Sequence, residues 1–358
     1  MIRDSFYRGD FYKGKKVLVT GHTGFKGSWL TLWLLEMGAT VIGFSIDSPY
    51  ENGLHEKAIK MQESMWDFRG DVADKKLLNQ IFKEHQPEIV FHLAAQPLVR
   101  LSYDQPQWTF QSNALGTANV LDAIKNTPSV KAAVMITTDK VYKNKEQIWG
   151  YKETDELGGS DPYSASKVCA EVIIQSYQDS FFKHSKTNIA SVRAGNVLGG
   201  GDWAPDRIIT DAINALEEGK PIQLRNPLAV RPWQHVLEPL SGYLLVAKKL
   251  YEDEITYGNW NFGPHKDLVI NVQQLVESLI DKFGYGSWEH TCAEVETKKK
   301  ECNILILDCT KAEKELAWKP RLNFDKTMNY LVEWYKNYKT KNVYQLSRVQ
   351  IKLYEQVI

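Results

Sequence analysis

Cysteine is scarce in this 358-residue chain. Cys169, Cys292, Cys302 and Cys309 form no close CxxC pair. That spacing argues against a disulfide scaffold or a cysteine zinc site and suits reduced thiols in the cytoplasm. Net charge is also missing, because Lys+Arg and Asp+Glu stand at 44 each. No global field recruits nucleic acid or an anionic membrane, and no clustered basic helix points to a nucleic-acid partner. No run reaches 18 apolar residues, and Met1 to Phe11 has no apolar signal core. Membrane insertion and secretion are therefore not expected. Internal repeats and low-complexity segments are absent too. What remains is 43% hydrophobic and 25% charged, the balance of a globular enzyme with one large or two smaller domains.

The strongest positive signal is Val17-Leu-Val-Thr-Gly-His-Thr-Gly-Phe-Lys-Gly-Ser28. An apolar run leads into glycines at 21, 24 and 27, and Trp29 to Glu36 has helical character. The pattern predicts a strand, a tight turn and a helix N-terminus. Gly21 suits positive φ, Gly24 lets backbone approach a pyrophosphate, and Gly27 allows close helix–strand packing. The free amides and dipole of the helix end favour phosphate. A glycine-rich turn without a ligand is the plainer alternative, and the strand before and helix after weigh against it.

Further strands are expected at Thr40–Ile46, Glu88–Gln96 and Val130–Thr138, with a helix over Phe110–Asp122 that carries Asn113. Asp47 fits either a clamp on the adenosine ribose or a loop carboxylate before Ser48-Pro49. No arginine follows it closely in sequence, so a 2′-phosphate is expected to be repelled. Asp71 and Val72 suit an adenine contact or a simple turn. Small residues at Leu93-Ala-Ala95 would let a flat cofactor lie against backbone. Asn113 fits a structural bridge equally well. Strand–helix alternation over residues 14 to 195 argues for an α/β fold with a doubly wound parallel sheet. Ligands then lie at the carboxyl ends of the strands, near Gln96 and residues 137 to 140.

Tyr163-Ser-Ala-Ser-Lys167 opens a second helix, and its spacing puts Tyr163 and Lys167 on one face. A free tyrosine, pKa about 10, is almost wholly protonated at neutral pH. A nearby ammonium favours the phenolate, which can take a proton from an alcohol while a hydride leaves for a cofactor. A surface Tyr–Lys pair is the alternative.

With Thr20-Gly-His-Thr-Gly-Phe-Lys-Gly27, His92-Leu-Ala-Ala95, Asn113 and Tyr163-Ser-Ala-Ser-Lys167, the chain from Gly14 to about Pro320 resembles the extended short-chain dehydrogenase/reductase family. Thr138-Asp139-Lys140 is similar to the nucleotide-sugar 4,6-dehydratases. Arg193-Ala-Gly-Asn-Val-Leu-Gly-Gly-Gly-Asp-Trp203 and Arg231-Pro-Trp-Gln-His235 look like the CDP-glucose group among them.

The resemblance implies NAD as cofactor and CDP-glucose as substrate, in making deoxysugars of bacterial surface polysaccharide such as O-antigen. It implies cofactor contacts from Gly21, Thr23, Gly24, Phe25, Lys26, Gly27, Asp47, Asp71, Val72, Leu93, Ala94, Ala95, Asn113, Thr137, Tyr163 and Lys167. Tyr163 would remove the 4-hydroxyl proton, Thr138 would bond the 4-oxygen, and Asp139 would protonate the departing 6-hydroxyl. Asp139 otherwise caps a turn. Lys140 replaces the glutamate that many relatives carry as base; it would act as a base of depressed pKa or as a charged stabiliser of the enolate. Gln96, Arg100, Asn196, Arg225, Arg231 and His235 are the substrate candidates. Surface ion pairing is the alternative for the two later arginines, and a structural role for His92 and His235. No metal is expected.

A Rossmann domain is expected over residues 1–195 plus 228–263, and an interwoven nucleotide-sugar domain over 196–227 plus 264–358. Tyr330 to Ile358 reads as a charged amphipathic helical tail. A homodimer or homotetramer is expected. The competing readings are a GDP-mannose dehydratase or sugar 4-epimerase of the same fold, and a non-catalytic dinucleotide sensor, which the Tyr163–Lys167 pair disfavours.

Overall fold

The computed structural model describes residues 10–60, 62, 65–264, 269–291 and 304–357. Cys292 and Cys302 lie outside them; Cys169 is exposed and Cys309 buried, both as free thiols. Seven parallel strands form the central sheet: β1 (Lys16–Thr20), β2 (Thr40–Ser45), β3 (Met65–Arg69), β4 (Ile89–His92), β5 (Ala132–Ile136), β6 (Asn188–Ala194) and β7 (Tyr257–Phe262). Their order is β7-β6-β5-β4-β1-β2-β3. The order reverses between β1 and β4, where Thr20 stands opposite His92, and a ligand crevice opens at such a switch point.

Alternation along the strands divides the core in two. Val17, Val19, Phe91 and Val134 face one side with Trp29, Trp33 and Leu240. Leu18, Val90 and Met135 face the other with Leu78, Phe82, Val120 and Ile174. Helix α1 (Phe25–Glu36) is buried along most of its length, which explains its poor amphipathic pattern. Helices α2 (Pro162–Tyr177) and α3 (Leu237–Tyr251) flank the sheet on opposite faces. Asp161 caps α2 through Ser164 N at 2.9 Å, and Pro162 takes the first turn.

Two expectations need correction. The helix over Phe110–Asp122 starts at Pro106, widens into a π turn at Gln111–Leu115 and resumes at Gly116–Lys125. The C-terminal tail forms two helices, Phe324–Asn337 and α4 (Val343–Gln356). α4, expected with the sugar-binding unit, packs on the helix before it and also on α1 of the Rossmann layer. Trp33 Nε1 donates to Glu355 at 2.9 Å, and Tyr344 and Arg348 both bond Glu36. Apolar residues decide this: Trp33 meets the Tyr354 ring edge-on at 5.6 Å. The segments between β6 and β7, and after β7, add short strand pairs and the helices Ile208–Glu217 and Val272–Phe283. Among the described residues no helix is long and apolar enough to cross a membrane.

The glycine turn makes a quantitative prediction. A Cβ at residue 27 would stand 2.0 Å from Gly21 O, whereas one at residue 24 meets nothing nearer than 3.4 Å. Gly27→Ala should lose about 2 kcal/mol or more of stability and Gly24→Ala less than about 1 kcal/mol. Urea melts of the two variants check the contrast; equal losses would refute it.

Candidate active site

The turn between β1 and α1 is held open by backbone geometry. Gly21 has φ +74°, and a Cβ there would lie 2.6 Å from Ala94 N. Thr23 braces the loop, its Oγ1 2.8 Å from Ser45 Oγ and bonded to Ile46 O at 3.2 Å. Thr20 Oγ1 accepts from Ala94 N at 3.2 Å. The result is a cradle of glycine backbone beside Leu93, Ala94 and Ala95, which any side chain would fill. A dinucleotide pyrophosphate fits it.

At the adenosine end the charge differs from expectation. Asp47 is almost fully exposed, and Arg69 Nε stands 3.5 Å from it. Arg69 follows by 22 positions, and β3 brings it alongside β2, so its guanidinium offsets the repulsion of a 2′-phosphate expected from Asp47. Arg69 also bonds Asp67 and approaches His22 Nε2 at 3.1 Å. His22, His55 and Asp67 offer ligand atoms within 4.8 Å of one another. The guanidinium already supplies that cluster's positive charge. Asp71 Oδ1 accepts from Ala73 N at 2.9 Å, a tight turn. Val72 is buried against Gly116, and its carbonyl takes Asn119 at 3.0 Å.

Several candidates turn inward. Asn113 spends its amide on Gln96 O (3.1 Å) and Ser166 Oγ (2.8 Å) and accepts from Gln96 N at 2.7 Å. It bridges the β4 end to α2 rather than facing a cofactor. Gln96 is 1% exposed and bonds Leu98 and Thr109, so it shapes a loop rather than a substrate pocket. Thr137 gives its hydroxyl to Glu171 at 2.5 Å. His92 is buried between Thr20 at 2.8 Å and Thr117 at 3.1 Å, and burial lowers its pKa to about 3. His235 packs between the rings of Trp29 and Tyr330 with its pKa lowered to about 3 by burial. That is the structural role, not a substrate contact.

Other candidates converge. Thr138, Asp139 and Tyr163 meet at the end of β5. Thr138 Oγ1 donates to Asp139 Oδ1 at 3.0 Å and lies close enough to the Tyr163 phenol to lower its pKa. Asp139 is 3% exposed, its Oδ2 has no hydrogen-bond partner, and burial raises its pKa. A carboxyl so placed retains a proton more readily than one in water. Tyr163 is pushed up to about 12, chiefly by burial, with Thr138 and Arg207 acting against it. The expected lowering by Lys167 therefore does not dominate. The Lys167 ammonium donates to Ile136 O at 3.3 Å. Lys167 and Lys26 are both lowered to about 8 by burial, and Lys26 feels Asp139, Asp202 and Arg207.

Lys140 is half-buried and lines a cavity of about 400 Å³ with Val99, Arg100, Tyr103 and Asp161. Arg100 and Arg225 share one carboxylate, Asp206, at 3.1 and 3.0 Å. Arg231 is buried, donates to Val230 O at 2.9 Å and lies within electrostatic reach of Asp139. Asn196 is half-buried, and its carbonyl accepts from Gln234 N. Sequence reading missed Arg207, which Asp202 holds near Tyr163, and Glu171, which continues the four-residue spacing of Tyr163 and Lys167.

Comparison with known proteins now decides the family. The family profile described as GDP-mannose 4,6 dehydratase matches residues 18–331. The chain belongs to that family. It is 46% identical to a CDP-glucose 4,6-dehydratase of Salmonella typhimurium over 91% of this chain and 92% of the relative. A dTDP-glucose 4,6-dehydratase of Streptomyces antibioticus is 29% identical over 90% and 92%. Among solved structures, the dTDP-glucose 4,6-dehydratase of Bacillus anthracis in complex with NAD has a TM-score of 0.76 at 23% identity, covering 91% and 98%. The UDP-glucose 4-epimerase of Thermotoga maritima with UDP-glucose has 0.78 at 22%, covering 90% and 98%. At these identities the two structures share the fold.

The buried histidine makes the stability of this dehydratase fold acid-sensitive. His235 stays neutral in the folded chain down to about pH 3. The unfolded chain takes up that proton below about pH 6.5, so stability falls as pH drops from there toward 3. At pH 5 the loss from His235 is about 2 kcal/mol. His235→Phe should therefore lose about 2 kcal/mol less than the parent between pH 7.5 and 5. Denaturant melts at both values measure it; equal losses would show that His235 does not set the dependence.

Proposed function

We propose that this chain is a CDP-glucose 4,6-dehydratase, converting CDP-D-glucose to CDP-4-keto-6-deoxy-D-glucose and water. The observation that carries the reading is the meeting of Tyr163, Thr138 and a partnerless, protonation-prone Asp139 oxygen beside the glycine cradle. The 46% identical relative supports CDP-glucose as the substrate. The cofactor is NAD. Gly21, Gly24, Gly27 and the amides at the start of α1 would hold its pyrophosphate, and Lys167 its ribose near Tyr163. Bound there, NAD would supply the reversible hydride acceptor for oxidation at C4 and reduction at C6.

Tyr163 takes the 4-hydroxyl proton as C4 is oxidised. Its raised pKa means that the proton leaves readily only when positive charge is close. Arg207 lies within electrostatic reach of the phenol, and Lys167, four residues on along α2, has Lys26 within its own reach. Thr138 holds the 4-oxygen. The 4-ketone acidifies the proton on C5. Lys140 takes that proton or balances the enolate charge, and Asp139 delivers its proton to the departing 6-hydroxyl. Burial around Asp139 keeps that proton available. Arg100 and Arg225 would exchange their shared carboxylate for the diphosphate, with Arg231 and Asn196 nearer the sugar. Deoxysugar synthesis for surface polysaccharide, work in the cytoplasm and a homodimeric or homotetrameric state belong to the same reading. Exposed Leu115 and Val172 offer an apolar surface for assembly.

Incubation with CDP-, dTDP-, GDP- and UDP-sugars, scored by mass, should show loss of water from CDP-glucose above the others. Preference for another nucleotide would overturn the substrate assignment. Tyr163→Phe should lower turnover about 100-fold or more while nucleotide-sugar binding survives. Near-normal turnover would remove Tyr163 from the chemistry. Asp139→Asn should stop after oxidation, leaving a species two hydrogens lighter than substrate and equimolar with enzyme. Undiminished loss of water would reject Asp139 as the acid.

A further inference from the structure

Tyr163, Lys167 and Glu171 lie on one face of α2 at four-residue steps. Glu171 has no part in the steps above, yet it is heavily bonded behind the strand ends. Its Oε1 accepts from Thr137 Oγ1 at 2.5 Å and Arg193 Nε at 2.8 Å. Its Oε2 accepts from Ser191 Oγ and Arg193 Nη2, each at 2.9 Å. Arg193, 2% exposed, passes on to the Tyr142 phenol at 2.8 Å, which donates to Asn261 at 2.8 Å. The paired guanidinium keeps the Glu171 carboxyl below its ordinary range.

A buried ion pair contributes little net stability, because desolvating both charges offsets most of their attraction. Its placement suggests another role. We propose that Glu171 is a positioning residue for the oxidation step, acting through Thr137 and Lys167; this rests on the reading of Tyr163 and Lys167 as the oxidising pair.

The geometry gives two routes. Along the backbone, Ile136 O accepts from Lys167 and the next residue, Thr137, is tied to Glu171. One helix thus grips the end of β5 at consecutive residues, immediately before Thr138 and Asp139. The grip fixes Thr138 relative to Tyr163 on that same helix. The second route is charge. The groups facing Lys167 are Lys26 from the α1 end, Glu171 from α2, and His92 from β4. Burial and Lys26 drive Lys167 down to about 8, and the Glu171 carboxylate opposes them. His92 is held neutral down to about 3 and does not titrate in the same range. Glu171 therefore helps to keep Lys167 charged at neutral pH.

The test combines two variants and two readouts. One readout is the pH dependence of Lys167 acylation by a small reagent in the purified protein, followed by peptide mass spectrometry; it needs no substrate. The other is kcat and KM with CDP-glucose. Glu171→Gln removes the carboxylate, so the Lys167 midpoint should fall by about half a pH unit or more. Its kcat should fall about 10-fold or more with KM changed less than about 3-fold. Thr137→Val removes the strand-end hydroxyl, with its bonds to Glu171 and Val192 O, keeps the Glu171 carboxylate, and should lower kcat about 10-fold while the Lys167 midpoint stays put. Should Glu171→Gln fail to fold, Glu171→Gln with Arg193→Met removes both charges, and the midpoint should still fall. An unmoved Lys167 midpoint overturns the proposal, as does parental kcat in Thr137→Val. A parent protein that does not turn over CDP-glucose overturns the functional reading instead, and acylation still judges Glu171.

Discussion

Everything at this site depends on one close approach. Gly21 and Gly27 bring the turn after β1 against the start of α1 and against the backbone after β4, with no room for a Cβ at either glycine. That contact sets the height of α1 above the strand ends. It frees the first amides of a buried helix toward the crevice, and it brings Lys26 within electrostatic reach of Asp139 and Lys167. Moving the turn would shift cofactor cradle and catalytic cluster together.

Around that frame, burial sets the proton chemistry. It raises Tyr163 and Asp139 and lowers Lys26 and Lys167. Asp139, Lys26 and Lys167 are thereby drawn toward proton exchange nearer neutral pH, whereas the Tyr163 phenol is driven away from it and depends on nearby positive charge to ionise. Burial thus favours the acid for a leaving hydroxyl, and cations must supply the base for an alcohol. Arg207, clamped by Asp202, adds positive charge near the phenol. The buried Glu171–Arg193 pair stands behind the cluster and keeps the strand end in place.

Much of this was legible in sequence because it depends on local pattern. The glycine spacing, the apolar strands and the Tyr163–Lys167 step each need only a few neighbouring residues. What escaped needs partners far apart in the chain. Arg69 meets Asp47 only because β3 lies beside β2. Arg100 and Arg225 meet only at Asp206. Asn113 and Gln96 look like ligand residues by type, yet each spends its amide on nearby protein groups. That helix α4 packs on α1 was not legible, because amphipathicity gives a face but not what covers it. Glu171 was within reach, since continuing the four-residue spacing from Lys167 leads to it.

The central claim is that oxidation, loss of water and reduction occur on one bound sugar, with the hydrogen taken from C4 given back to C6. CDP-glucose carrying deuterium at C4 tests this directly. Turned over in ordinary water, it should yield a 4-keto-6-deoxy product that carries the deuterium on C6. Product formed without deuterium at C6, or deuterium retained at C4, would contradict the account.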